Sequence, residues 1–253
     1  MAASVGAVSI NWLQAVIDVP AERFELAAEF WTTITNSSRG EIDPSHDEYL
    51  HLVPPSGHMH LELQRTDANT AGAHMDLLVD DIDAVVEQAR ALGATLVTQS
   101  THAVLQTPGG VPFCVVAHNG ESERAPAIDS ALPHAVDQIC LDVPAEHFEN
   151  DLAFWSQLTG WSINPPRSPE FRSLDQPAHL PLRILIQRLG DDDTGGPRSH
   201  LDLSCGDHVA QLTERHEAAG ATATEHFKRW TLLADPVDMP YCLTARPPSV
   251  GSS

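Results

Sequence analysis

The chain has 253 residues, 42% hydrophobic and 19% charged, which fits a folded protein with room for two domains that each bury a core. Its 35 acidic residues against 14 basic ones give a formal net charge of −21, and a field of that sign argues against nucleic-acid and membrane-surface partners. No apolar run approaches the roughly 18 residues of a membrane span, and MAASVGAVSINW lacks the basic and apolar regions of a secretory signal, so a cytoplasmic protein is expected.

In chain order, Ile10 to Val19 reads as a strand, and Pro20 opens a helix, where its missing N–H costs nothing. Phe24, Ala27, Ala28, Trp31 and Ile34 recur at helical spacing and form its buried face. Polar sequence runs to about residue 47. Strand-like EYLHLV (48–53), the turn PPSG and HMHLELQR (58–65) then read as a hairpin. Period two in the last segment puts His58, His60, Glu62 and Gln64 on one face; a polar strand face is the reading there. AHMDLLV (73–79) is the next strand. Asp80 or Asp81 caps a helix whose stripe is Ile82, Val85, Val86, Ala89 and Leu92, and Gly93 ends it. ATLVTQS, HAVLQT and VPFCVVA are three further strands, and residues 119–133 read as a linker.

The same order then repeats. Residues 13–36 and 137–160 align without gaps at an offset of 124, with 11 of 24 positions identical, so the chain is a duplicated unit of whole-domain size. In the second copy a strand at 136–142 precedes a helix at 145–159 that ends at Gly160. Candidate strands come next near 161–164, 170–174 and 182–189, and the turn Asp191–Asp193 reads as solvated. SHLDLSC (199–205), a helix capped by Asp207 and running to Gly220, and the strands ATATEHF, RWTLLA and MPYCLTA complete it. The boundaries drawn are 1–118 for the first domain, 119–133 for the linker, 134–246 for the second domain and 247–253 for a tail.

Cys114, Cys140, Cys205 and Cys242 sit in apolar runs without CxxC spacing and read as buried, reduced thiols. The H-x-D pair occurs twice, His74 with Asp76 and His200 with Asp202; one strand face presents both groups, and the carboxylate can orient the imidazole. There is no GxSxG, P-loop or GxGxxG after a strand, so acyl transfer and nucleotide chemistry have no motif.

The DVPAE–helix–FW opening and the G-x-H-x-D-L-x-V-D-D-I second half, each in a β-α-β-β-β order, resemble the vicinal-oxygen-chelate superfamily of glyoxalases, bleomycin-resistance proteins and extradiol dioxygenases, and within it the glyoxalase-like domain branch. The resemblance implies an α+β fold: two tandem glyoxalase-like domains, each of two βαβββ units forming an eight-stranded open cup for a small molecule. In metal-dependent members the ligands come from the first, fourth, fifth and eighth strands. Residue by residue, the resemblance places Gln14, Glu62, His74 and Cys114 there in copy one, and Gln138, Leu185, His200 and Cys242 in copy two. Both copies lack the eighth-strand glutamate, which in glyoxalase I also moves the substrate proton.

The resemblance therefore implies a binding or sequestering protein of the bleomycin-resistance kind, without a complete catalytic metal site and with no cofactor. Trp12, Asp76, Trp161, Asp202 and Trp230 are its candidate ligand-binding residues, and no catalytic residue is assigned. The rival is a metal-dependent lyase, isomerase or dioxygenase holding zinc, nickel, manganese or iron at Gln14, Glu62, His74 and His200. The partner expected is a small molecule, and the chain a monomer with paired domains or a homodimer.

Overall fold

The computed structural model describes residues 8–248 apart from 42, 43, 45, 130 and 167. The N-terminal stretch before Val8 and the expected tail beyond Pro248 lie outside the described residues.

The first copy runs β1 (Trp12–Pro20), α1 (Phe24–Thr35), β2 (Ser38–Arg39), β3 (Tyr49–Val53), β4 (Leu61–Thr66), β5 (Gly72–Val79), α2 (Ile82–Ala91), β6 (Thr95–Gln99), β7 (Ala103–Gln106) and β8 (Pro112–Ala117). The second runs β9 (Ala135–Val143), α3 (Phe148–Thr159), β10 (Phe171–Ser173), β11 (Arg183–Arg188), β12 (Arg198–Ser204), α4 (Val209–Ala218), β13 (Thr222–His226), β14 (Trp230–Ala234) and β15 (Pro240–Thr244). The strands form an eight-stranded sheet in the order β2-β3-β4-β1-β5-β8-β7-β6 and a seven-stranded one in the order β10-β11-β9-β12-β15-β14-β13. Neither sheet closes on itself, which is the α+β, open-cup architecture that the sequence implies.

Three local expectations need correction. Pro20 ends β1 and does not open a long helix, because a 3-10 turn over Ala21–Arg23 intervenes before α1 begins at Phe24. Residues 161–164 form no strand; Ile163 makes only an isolated bridge to Leu174. Pro165 and Pro166 come directly after and have no N–H to extend a ladder, so the second sheet has seven strands. Asp207 does not cap α4: it lies inside a 3-10 turn over Gly206–His208, and α4 begins at Val209 without a side-chain cap. By contrast Asp81 does cap α2, accepting a hydrogen bond from the Ala84 N–H at 3.0 Å.

The described residues divide into two compact units that interleave the copies: 8–13, 74–122 and 140–199 fall in one, and 14–73, 123–139 and 200–248 in the other. In the first unit, Phe113, Phe154 and Trp155 are fully or almost fully buried, with ring centroids 5.1 to 5.9 Å apart. A carboxylate from α3 completes this core. Asp151, with no exposed surface, accepts from the Thr107 hydroxyl at 2.5 Å and from the Gly109 N–H at 2.6 Å.

The second unit has Phe30 and Trp31 of α1, His216 of α4 and Tyr241 of β15 in one aromatic cluster. Here the carboxylate comes from a turn. Asp235 accepts from the Trp31 indole N–H, the Val237 N–H and the Met239 N–H, each at 2.9 Å. A second buried carboxylate, Asp137 of β9, lies between Arg246 and Arg124. His60 of the same unit is within 2.8 Å of the Val136 carbonyl, and His58 accepts from the Glu123 N–H. His58 therefore ties the linker to the hairpin, and His60 ties β9 to it.

Candidate functional site

Parallel strand pairing builds the same polar group in each copy. In β5, alternation puts His74 and Asp76 on one face, while Met75 and Leu77 point into the core with no exposed surface. Strand β8 runs parallel to β5 with Cys114 beside Asp76 and Phe113 beside Met75. Paired residues share a face, so the thiol falls next to the carboxylate. In copy two β12 and β15 repeat the register, Asp202 beside Cys242 and Leu201 beside Tyr241.

In each trio, one imidazole nitrogen, one carboxylate oxygen and the sulfur all lie within 4.8 Å of one another. His74 Nε2 is 3.3 Å from Asp76 Oδ1, and His200 Nε2 is 3.5 Å from Asp202 Oδ1. Asp76 is 8% exposed and Asp202 4%. Both Oδ1 atoms are buried and accept no hydrogen bond. The other oxygen of Asp202 accepts from the side-chain amide of Gln138 in β9. Burial raises the Cys114 thiol above its ordinary value and pushes Cys242 up to about 11.

Gln14 and Glu62 lie in the second compact unit, in adjacent parallel strands: Val16 of β1 pairs with Glu62 of β4, and Gln14 shares Val16's face two residues earlier. Both are buried. Glu62 Oε2 is 3.1 Å from Nε2 of His51, which sits directly opposite it in β3. His51 escaped the sequence reading, although the hairpin register alone places it across from Glu62. Leu185 of β11, at the position matching Glu62, offers no donor.

The three candidate tryptophans, of five in the chain, occupy different settings. Trp12 has no exposed surface. Trp161 is half-buried and held through its backbone, its N–H donating to the Thr159 hydroxyl. Trp230 stacks on Phe227 at 4.6 Å and lines a surface pocket of about 540 Å³ with Phe227, Lys228 and Arg229. Asp193 of the acidic turn is engaged by Arg198, which pulls its pKa down to about 2, and Asp191 pairs with Arg188. The four cysteines are buried and none forms a disulfide. No helix among the described residues is long and apolar enough to cross a membrane.

The profile of the family described as "Glyoxalase-like domain" matches residues 14–116 and again 138–244. No curated protein sequence matches the chain. Among solved structures, a xylose isomerase-like TIM barrel/4-hydroxyphenylpyruvate dioxygenase fusion protein superposes with a TM-score of 0.62 at 12% identity; 98% of this chain is covered but only 50% of the fusion. A Mn(II)-bound glyoxalase from Novosphingobium aromaticivorans gives 0.62 at 15% identity, over 96% of this chain and 85% of the other. The 2,3-dioxygenase LapB from Pseudomonas sp. KL28 gives 0.63 at 13% identity, over 98% and 96%. At such identities the likeness is one of fold.

Proposed function

Since the chain belongs to the glyoxalase-like domain family, in two copies, we propose that it binds a small organic molecule at the His–Asp–Cys groups of these copies, without the four-ligand metal set of the catalytic members. One observation carries this reading: a buried carboxylate oxygen without a hydrogen-bond partner stands at the same place in both copies. A buried acceptor left unpaired costs about 1–3 kcal/mol. A ligand hydroxyl or amine removes that cost on binding, so the ligand is one that presents donors. The cysteines do not take over the glutamate's proton transfer. Burial keeps the Cys242 thiol protonated at neutral pH, with its pKa near 11, and general-base work needs a group whose pKa lies near the working pH.

A metal-dependent lyase, isomerase or dioxygenase is the second reading. It is favoured by the convergence of nitrogen, oxygen and sulfur atoms within 4.8 Å and by the names of the glyoxalase and dioxygenase neighbours. A thermal-shift screen of polyhydroxylated and amine-bearing small molecules against the metal-free chain tests the first reading, because a ligand that binds only the folded state raises the midpoint. Hits whose shift falls in Asp76→Asn and in Asp202→Asn, and disappears in the double variant, are expected. A screen without such hits, alongside substrate turnover by metal-loaded protein, refutes binding as the function.

A further inference from the structure

We propose that the surface pocket beside Trp230 is a second small-molecule site, and that it takes a flat aromatic monocarboxylate. The pocket has about 540 Å³, a volume in the range of small-molecule clefts. Every residue lining it lies between Gly206 and Ala245, and none belongs to a His–Asp–Cys group, so copy two builds it alone.

The rings are the first argument. Phe227 follows β13 and Trp230 begins β14, and the two stack with centroids 4.6 Å apart and planes at 22°. Phe227 is nevertheless 45% exposed. A flat ring laid on it extends the stack and takes apolar surface out of water.

The charges are the second argument. Lys228, the only lysine of the chain, and Arg229 lie between the two rings in sequence and line the same pocket. Both are exposed. Among the described residues neither side chain makes an ion pair or a hydrogen bond, although Asp207, Glu214 and Glu217 line the pocket too. Two adjacent cations repel each other. An anion between them removes that repulsion, and a guanidinium matches a carboxylate through two parallel N–H···O bonds.

The hairpin itself requires none of this. Copy one turns from β6 to β7 through Ser100, Thr101 and His102, with the Ser100 N–H donating to the His102 carbonyl at 2.8 Å. Copy two closes its turn in the same way, the Phe227 N–H donating to the Trp230 carbonyl at 2.8 Å. Small polar residues make the turn in one copy, so the exposed ring and the paired cations of the other are not demanded by the backbone.

The opposite wall narrows the ligand class. Two cations face three carboxylates across the pocket, so a dianion such as a phosphate ester meets net repulsion. A single carboxylate on a flat ring satisfies the cations and the stack together.

The test is isothermal titration calorimetry on the full chain carrying Asp76→Asn and Asp202→Asn, which disables the His–Asp–Cys groups. The probes are 2-naphthoate, its neutral counterpart 2-naphthamide, and the saturated acid decahydronaphthalene-2-carboxylate. The expected result is one equivalent of 2-naphthoate per chain, with each of the other two bound about tenfold more weakly. Lys228→Gln with Arg229→Gln weakens 2-naphthoate about tenfold and leaves 2-naphthamide unchanged. Phe227→Ser weakens both naphthyl probes; all three side chains are exposed, so the fold is not at stake. No binding of 2-naphthoate in this background, or binding indifferent to the glutamine pair and to Phe227→Ser, overturns the proposal. A ligand of the His–Asp–Cys groups is lost with the two asparagines and kept with the two glutamines, so the two sites stand or fall separately.

Discussion

Asp235 offers a sharp test of how the second compact unit is held together. Its carboxylate is 3% exposed and accepts three hydrogen bonds, from the Trp31 indole and from the Val237 and Met239 backbone. Asp235→Ala leaves three buried donors without acceptors. At about 1–3 kcal/mol each, with some cost recovered because the carboxylate no longer has to be desolvated, the net loss comes to about 3 kcal/mol. For a chain of this length that lowers the midpoint by about 6–12 °C. Asp235→Asn is more selective. Its carbonyl oxygen still serves the two backbone N–H groups, but its NH₂ meets the Trp31 indole donor to donor, so about 1–2 kcal/mol is lost. The pH dependence carries a sign. Burial is the largest influence on Asp235 and raises its pKa, so the folded state holds a proton that the unfolded state has released. Stability from this group is full below the ordinary carboxylate pKa near 3.9 and declines as pH rises through the raised value. The wild-type advantage over Asp235→Asn is thus largest in acid. Urea denaturation from pH 3.5 to 7 measures it; an Asp235→Ala loss under about 1 kcal/mol, or an advantage that grows with pH, refutes the reasoning.

The first unit allows the reciprocal experiment. Thr107 occupies the turn position of Asp235, and its acid is supplied instead by Asp151, whose match in α1 is Ala27. Thr107→Asp alone sets two buried carboxylates together and Asp151→Ala alone orphans the Gly109 N–H, so urea denaturation of the double variant is expected to show at least about 1 kcal/mol of favourable coupling. Asp137→Ala strands Arg124 and Arg246 around a buried position and is expected to cost about 3–5 kcal/mol by denaturant titration. His216 is held at a pKa of about 3, chiefly by burial. The unfolded state gains its proton first as pH falls, so about 2 kcal/mol of stability is lost between pH 7 and 5, a loss absent in His216→Phe when chemical denaturation is compared across that range.

Periodicity located the strands and helices because burial on one face leaves a readable pattern. Trp31 and Ile34 at helical spacing, and His74 with Asp76 against Met75 with Leu77, fell where alternation put them. The duplication was legible for the same reason. The 3-10 turns at both helix starts were not, since Pro20 and Asp207 satisfy the rules for opening an α-helix as well as those for a 3-10 turn. At the site, Cys114 and Cys242 were visible from alignment of the copies. Their adjacency to Asp76 and Asp202 depends on parallel register across a crossover, which the sequence of either strand alone does not set. The partner of Glu62, His51, was within reach of hairpin register and needed only the turn length.

Comparing the two copies separates structural polar groups from site groups. The Trp31 indole has a carboxylate from its own unit's turn, whereas Trp155, its counterpart at the 124-residue offset, has a buried N–H without a partner because Asp151 is spent on Thr107 and Gly109. A core donor asks only for some acceptor nearby, so the acid can migrate from turn to helix and the fold tolerates the difference. Glu62 and Leu185 show the same freedom at the fourth strand. The histidine, aspartate and cysteine of the fifth and eighth strands are held in identical register in both copies, with the same unpaired oxygen in each. Core packing has no use for an unpaired carboxylate oxygen, which costs stability wherever it is buried. Two such atoms at matched positions therefore argue for something that binds there, and the ligand screen with the two asparagine variants tests it.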